Sequence, residues 1–204
     1  MPPGSSEALP RDTVGPGAAA INGRRFVTLA LWTWHTLVTV LYPSTPWALC
    51  PCRHNLTDTL FTWSSYTAVA LAVIIIAAPI RLLAFRQLGE NFTFRLAKPK
   101  ALVTTGLYAH VRHPSYPTNW LVWVANLGLL LRLDGVLGCV MPSVLVRWGM
   151  RSGLWPALLL GLALMSLISI WVRVQDEEAM LKGVFGKEWE EYHVKTPRFI
   201  PWVF

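Results

Sequence analysis

Four long apolar stretches, separated by polar segments, dominate the sequence after residue 24. They cover residues 26–42, 60–80, 117–131 and 154–172. Because a helix needs about 20 mainly apolar residues to cross a bilayer, this pattern predicts four transmembrane helices. Residues 135–150 are also apolar, but they form a short stretch that Pro142 and Arg147 interrupt. We expect this stretch to be a re-entrant or interfacial segment.

The composition agrees with a membrane protein and argues against nucleic-acid binding. Of the 204 residues, 53% are hydrophobic and only 14% are charged, whereas a soluble domain has about 25% charged residues. The net charge of +7 comes from short basic clusters beside the apolar stretches, as the positive-inside rule describes. We therefore predict an all-α, multi-span protein of the lipid bilayer that binds no nucleic acid.

Basic residues predict which side of the membrane each segment faces. The segment after the second apolar stretch carries Arg81, Arg86, Arg95, Lys98 and Lys100. Cytosolic loops carry an excess of Lys and Arg, so residues 81–113 are expected in the cytosol. The segment after residue 172 is also basic, and four crossings return the chain to the same side.

The two ends of the chain differ from the apolar stretches. Residues 1–23 are rich in Pro, Gly, Ala and Ser, which predicts a disordered tail before a single membrane domain, residues 24–204. Near the other end, Leu181, Phe185, Trp189 and Tyr192 recur at helical spacing. This spacing predicts a C-terminal amphipathic helix that packs against the protein or the membrane surface.

The three cysteines predict neither a disulfide framework nor a metal centre. Cys50, Cys52 and Cys139 are too few for a framework. The sequence Cys50-x-Cys52-x-His54 lacks the spacing and the second ligand pair of common zinc sites. We interpret them as loop cysteines near a membrane surface and expect no bound metal.

Two polar motifs border the predicted spans on the predicted cytosolic side. The first, residues 106–116, is G-x-Y-x-x-x-R-H-P-x-Y, and the second is Arg173-x-x-x-Glu177-Glu178. Each alone has a structural explanation. Arg173 and Glu177 could form a surface pair on one helix, and Arg112 and His113 could anchor the chain at the membrane surface.

Together, the two motifs have the chemistry of a binding site. Residues 113–115 precede a predicted helix, whose free N–H groups favour an anion. Arg173 has a planar donor group suited to a carboxylate, and Glu177 can accept from a hydroxyl or an ammonium group. Tyr108 and Tyr116 can stack on a flat ring or a cation. Such groups could hold a zwitterionic, nucleotide-like ligand opposite a lipid-borne carboxylate.

The order and spacing of these residues resemble a known enzyme family. V-T-x-G-x-Y-x-x-x-R-H-P-S-Y at 103–116, Arg173-x-x-x-Glu-Glu178, and F-G-x-x-W-x-x-Y at 185–192 are similar to the isoprenylcysteine carboxyl methyltransferase family. The similarity covers roughly residues 80–204. It implies an integral membrane enzyme, in eukaryotes of the endoplasmic reticulum. It also implies methyl transfer from S-adenosyl-L-methionine to the α-carboxylate of a C-terminal prenylated cysteine in lipidated, CaaX-processed proteins.

The resemblance also implies roles for individual residues. Arg173 would bind the substrate carboxylate and take part in catalysis, and Arg112 would support the pocket or act close to the reacting centre. The cofactor would be bound by Lys100, Ala101, Leu102, Val103, Tyr108, His113, Pro114, Ser115, Tyr116 and Glu177. Thr118, where the family commonly has glycine, and the long segment 135–153 depart from the family pattern. These departures concern the acceptor more than the cofactor.

Other functions remain open from the sequence. A methyltransferase for a phospholipid amine would share the cofactor and the architecture, and a sterol-reductase-like enzyme would use NADPH. A membrane scaffold without catalysis would be expected to have lost Arg173, Glu177 or His113, and all three are present. The sequence does not indicate an oligomeric state.

Overall fold

The computed structural model describes residues 18–92 and 98–200, with side chains from residue 22 onward, and every regular element in these residues is helical. The α-helices are α1 (Ala18–Leu41), α2 (Asp58–Phe61), α3 (Ser65–Leu88), α4 (Ser115–Leu130), α5 (Ser143–Arg151), α6 (Leu154–Phe185) and α7 (Lys187–Lys195). Short 3-10 turns lie between them at Arg53–Asn55, Gly89–Asn91, Gly106–Ala109 and Val136–Cys139. The all-α prediction is therefore confirmed for the described residues.

Among the described residues, two helical segments are long and apolar enough to cross a bilayer, Asp58–Asn91 and Leu154–Phe185. They contain α3 and α6. Large aliphatic side chains on both helices are exposed, among them Val69, Ile75 and Leu160. Exposed apolar surface of this kind needs cover from lipid or protein.

Helix α6 is longer than a membrane requires. Its 32 residues correspond to about 48 Å, whereas the hydrocarbon core of a bilayer is about 30 Å thick. Its apolar part ends near Val172, and Arg173 and Glu177 follow on the next turns. The extra length therefore carries the second motif beyond the apolar part of the helix.

The other predicted spans also coincide with helices. Helix α1 has 24 residues. Helix α4 has 16 residues, so its length is about 24 Å. The count of four crossings stays a prediction. Between α4 and α6 lies α5, which has nine residues and is too short to cross a membrane of about 30 Å.

Two predicted boundaries differ from the structure. Helix α1 begins at Ala18, inside the predicted tail, and residues 1–17 lie outside the described residues. The predicted C-terminal amphipathic helix is divided in the structure, because α6 continues to Phe185 and α7 begins at Lys187. Gly186 separates them with φ +52°, a left-handed backbone conformation that disfavours other residues.

The described chain forms two compact units. One, the disulfide unit, comprises Ala18–Ile76 and Leu121–Met165. Its core is built from Val38, Cys50, Leu60, Phe61, Leu129, Leu130, Val136 and Cys139. Cys50 and Cys139 form a disulfide, and Cys52 is a free cysteine. The interpretation as loop cysteines did not anticipate this bond, because it joins residues 89 apart in sequence.

The other, the motif unit, comprises the described residues of Ala77–Trp120 and Ser166–Phe204. Its fully or nearly buried side chains include Ala84, Tyr108, Val174 and Trp189. Both polar motifs belong to this unit.

Candidate functional site

The first motif is held in place by backbone contacts within the motif unit. Gly106 has φ +63°, and a Cβ atom there would lie 2.5 Å from the Gln87 side chain. The Leu107 N–H donates to Gln87 Oε1 at 2.9 Å, which fixes the turn before Tyr108. Only glycine combines this conformation with so close a contact.

The C-terminal segment pairs with the end of the same motif. The Arg112 and His113 N–H groups donate to the Pro197 and Arg198 carbonyl oxygens, at 2.9 and 3.0 Å. The Tyr192 hydroxyl donates to the Tyr108 carbonyl oxygen at 2.6 Å. These bonds position His113 just before α4, which begins at Ser115, two residues before the predicted apolar stretch.

A cavity in the motif unit brings the two motifs together. The cavity has a volume of about 110 Å³, so a ligand of nucleoside size would extend through its open mouth. Its lining comprises Phe85, Leu88, Asn91, Phe92, Pro99, Ala101, Leu102, Val103, Tyr108, Arg112, His113, Ser115, Tyr116, Arg173, Glu177, Met180, Leu181, Trp189 and Tyr192.

Ten of the twelve predicted site residues line this cavity, and Lys100 and Pro114 do not. The Lys100 Nζ lies 2.6 Å from Glu90 Oε2, and both side chains are largely exposed. Pro114 is buried, and its carbonyl oxygen accepts from the Thr118 hydroxyl at 3.1 Å. Both residues therefore lie outside the lining of this cavity, and their roles in cofactor binding stay predictions.

Glu177 lies at the junction of the two motifs. The Tyr116 hydroxyl donates to Glu177 Oε2 at 2.7 Å, and His113 Nδ1 lies 3.8 Å from the same oxygen. Arg173, one turn earlier on α6, lies beside the same tyrosine hydroxyl. The side chain of Glu177 remains 27% exposed, so it can still accept a hydrogen bond from a ligand.

The next carboxylate, Glu178, forms a buried ion cluster. Its Oε1 accepts from Arg112 Nη1 at 2.9 Å and faces His113 Nε2 at 3.1 Å. Arg198 donates to both oxygens, at 3.1 and 2.6 Å. Charge-assisted bonds of this kind are strong and directional. The cluster therefore connects α6, the first motif and the C-terminal segment.

Arg112 takes part in both the cluster and the cavity. Its side chain is only 8% exposed, and a second hydrogen bond joins it to His193 Nδ1. Its Nε–H is buried and has no hydrogen-bond partner. A buried donor without an acceptor is costly, so this atom is a candidate for binding an acceptor group on a ligand.

Burial changes the acidity of several groups around the cavity. It raises the pKa of Tyr108, where the Glu177 charge adds to the effect, and it raises the pKa of Tyr192. Both hydroxyls therefore stay protonated and can donate hydrogen bonds. Burial also lowers the pKa of Arg112, which the Glu178 carboxylate opposes.

Sequence reasoning missed several residues of this site. Glu178 was visible beside Glu177, but nothing in the spacing indicated that it contacts two arginines and a histidine. Trp189 and Tyr192 were recognised as an apolar stripe and assigned to docking, whereas they also line the cavity. No sequence signal distinguished Arg198 from the other basic residues of the tail.

Comparison with known proteins agrees with the family that the motifs resemble. Residues 69–153 match the model described as "Isoprenylcysteine carboxyl methyltransferase (ICMT) family". The chain is 32% identical, over 69% of its length and 52% of the other protein, to protein-S-isoprenylcysteine O-methyltransferase of Schizosaccharomyces pombe. It is 29% identical, over 91% of its length and 87% of the other, to a probable protein-S-isoprenylcysteine O-methyltransferase of Oryza sativa subsp. indica.

A solved structure shares the fold. The structure of the eukaryotic intramembrane Ras methyltransferase ICMT matches 89% of this chain and 53% of that chain, with a TM-score of 0.51 and 20% identity. The chain spans about half the length of several curated relatives that it matches, including those of Schizosaccharomyces pombe and Xenopus laevis.

Proposed function

We propose that this chain, which belongs to the isoprenylcysteine carboxyl methyltransferase family, methylates the C-terminal α-carboxylate of a prenylated cysteine. The observation that carries the proposal is the cavity of the motif unit, since Tyr116, Arg173 and Glu177 all line it. The substrates would be lipidated, CaaX-processed proteins. The methyl donor would be S-adenosyl-L-methionine.

The residues around the cavity suit a ligand with this cofactor's chemistry. S-adenosyl-L-methionine, when bound, would supply a methyl group on a positively charged sulfur. Glu177 can accept from an ammonium group, and the face of an aromatic ring such as Tyr116 attracts a cation. The unpartnered Nε–H of Arg112 can donate to a carboxylate. Ala101–Val103 contribute a further wall.

Arg173 would bind and orient the acceptor carboxylate. A carboxylate is already an anion at neutral pH, so the residues need not remove a proton from it. Their contribution is alignment, which can lower a barrier by several kcal/mol, together with exclusion of water from the carboxylate. Buried aromatic side chains such as Trp189 favour that exclusion.

We further propose that residues 24–204 act as one membrane domain with four crossings, α1, α3, α4 and α6, and with both motifs in the cytosol. Helices α3, α4 and α6 each contribute residues to both units. The basic cluster after α3 supports this orientation. The Cys50–Cys139 disulfide supports it too, because disulfides persist in oxidising compartments such as the lumen of the endoplasmic reticulum.

A methyl-transfer assay with the purified full chain tests the proposed activity. The donor is S-adenosyl-L-methionine with a radiolabelled methyl group, and the acceptors are N-acetyl-S-farnesylcysteine and phosphatidylethanolamine. We expect label on the farnesylcysteine only. Transfer to the phospholipid alone would overturn the acceptor assignment, and NADPH binding without S-adenosyl-L-methionine binding would overturn the reaction class.

Two substitutions test the residue roles. Arg173→Ala is expected to lower kcat/KM for the prenylcysteine by about 100-fold or more, as loss of an oriented electrostatic contact does. Glu177→Gln is expected to weaken S-adenosyl-L-methionine binding in calorimetry. Arg147→Ala, an exposed arginine on α5, is the matched control and should keep full activity. Full activity in both site variants would refute these roles.

A further inference from the structure

The disulfide unit contains a second cavity. Its volume is about 390 Å³, within the range of roughly 300–1,000 Å³ typical of small-molecule sites. The walls come from α1, from the segment 60–63, from α3 and from Leu129. Most of the lining is apolar or aromatic, and its polar side chains are those of threonines and His35. None of these residues belongs to the proposed catalytic machinery.

His35 is the unusual residue of this cavity. It is only 7% exposed, and its Nδ1 is buried without a hydrogen-bond partner. The ring lies beside those of Phe61 and Trp32, with ring centroids 5.2 and 6.0 Å away. A buried polar atom normally has a partner, and the hydrocarbon region of a bilayer offers no bulk water to supply one. The atom therefore indicates a ligand that brings its own hydrogen-bonding group.

The chemistry of the walls narrows the class of ligand. A neutral imidazole nitrogen either donates or accepts a hydrogen bond, and a hydroxyl group can satisfy it in both cases. The described residues that line the cavity carry no charged carboxylate, ammonium or guanidinium group, so an ionic ligand group would be left unpaired at high cost. The ligand that suits these walls is therefore an apolar molecule with one hydroxyl group.

The location of the cavity indicates where such a ligand comes from. Trp63 forms part of its rim and is 86% exposed, as expected for tryptophan at a membrane surface. His35 lies six residues before the end of α1 at Leu41, which is about 9 Å along the helix. A lipid alcohol in a bilayer likewise has its hydroxyl near the surface and its apolar body in the hydrocarbon region.

We propose that the disulfide unit binds a membrane lipid alcohol, a sterol or a long-chain isoprenoid alcohol. Its hydroxyl forms a hydrogen bond with His35 Nδ1, and its apolar body contacts Trp32, Phe61 and Leu71.

Photolabelling of the full chain in lipid nanodiscs tests this proposal. The probes are diazirine analogues of cholesterol and of farnesol, each competed with the unlabelled alcohol and with its methyl ether. We expect labelled peptides from residues 32–40 or 60–71. The alcohol should compete about threefold to tenfold better than the ether, the effect of one net hydrogen bond. The probe that labels this region distinguishes the sterol from the isoprenoid source.

The variant His35→Phe keeps an aromatic ring and removes the nitrogen. It should lose the preference for alcohol over ether, whereas Arg173→Ala should bind the probes like the unmodified chain. If His35→Phe fails to fold, ¹⁵N spectra of histidine-labelled protein with and without the alcohol still report on Nδ1. Equal competition by alcohol and ether, no labelling within residues 32–40 or 60–71, or an unchanged His35 spectrum would overturn the proposal.

Discussion

Two neighbouring carboxylates on α6 have different surroundings. Glu177 is 27% exposed and accepts from Tyr116 inside the cavity. Glu178 is 9% exposed and binds Arg112, His113 and Arg198. Successive helix residues point about 100° apart, so one carboxylate can face a ligand while the next holds the surrounding segments. We therefore assign Glu178 a positioning role.

Glu178→Gln tests that role. Removing one partner of a buried ion cluster leaves the others without compensation, so the free energy of unfolding should fall by on the order of 3 kcal/mol. Thermal unfolding in detergent measures the loss. The matched control is Glu190→Gln, whose partner is Lys182 in an exposed pair, and its change should stay below about 1 kcal/mol. Equal unfolding midpoints for the two variants would contradict the assignment.

The surroundings of His193 lead us to expect that the stability of the protein depends on pH. Its Nδ1 accepts from Arg112, and protonation would remove that acceptor. Burial lowers the pKa of His193 below its ordinary value of 6.5. The charges of Arg112, Arg198 and Lys182 act in the same direction, and Glu178 opposes them.

The sign of the effect follows from this lowered pKa. The unfolded chain binds the proton more readily, so the contribution of His193 is present above about pH 6.5 and is lost as the pH falls through the lower, folded value. Thermal midpoints should therefore fall between pH 7.5 and 5.5, and the fall should be smaller in His193→Gln. Identical pH profiles for the two proteins would exclude this contribution.

At the scale of elements, the break between α6 and α7 depends on one glycine. The apolar spacing from Leu181 to Tyr192 fits a single helix, and only the left-handed backbone at Gly186 interrupts it. Because α7 turns away at this point, Trp189 is buried in the motif unit and lines the cavity together with Tyr192.

Two glycine substitutions test this interpretation. Both Gly183 and Gly186 have open space where a Cβ would lie, so only the backbone conformation distinguishes them. Gly186→Ala should destabilise the protein by about 1–3 kcal/mol because of its positive φ. Gly183→Ala, inside α6, should stabilise it by about 0.5–1 kcal/mol. Thermal unfolding of both variants measures the difference, and effects of the same sign would refute the explanation.

At the scale of the whole molecule, the proposed orientation can be tested by thiol labelling. The free Cys52 lies near the disulfide, on the proposed lumenal side. His110 is an exposed residue of the first motif, on the proposed cytosolic side. A membrane-impermeant maleimide applied to intact microsomes should label His110→Cys in a Cys52→Ser background. Cys52 itself should react only after permeabilisation, and the reverse pattern would invert the orientation.

Much of the architecture was predictable from local information. The apolar stretches coincide with α1, α3, α4 and α6 because helix formation within a membrane follows from length and apolarity. Ten of the twelve site residues that the family resemblance implied line the cavity, and the order and spacing of the motifs carried that resemblance. Both the helices and the motifs are set by residues close together in the sequence and do not depend on contacts between distant residues.

The remaining features required the tertiary structure, because they depend on contacts between residues far apart in the chain. The Cys50–Cys139 pair joins positions 89 residues apart, and spacing alone cannot identify such partners. The two arginines and the histidine around Glu178 could be assigned to it only once α6, the first motif and the C-terminal segment were seen together. Residue types and their periodicity thus determined the helices and the chemistry of the site. The three-dimensional packing decided that Glu177 and not Glu178 faces the cavity. It also decided that Trp189 lines the cavity and that Lys100 does not.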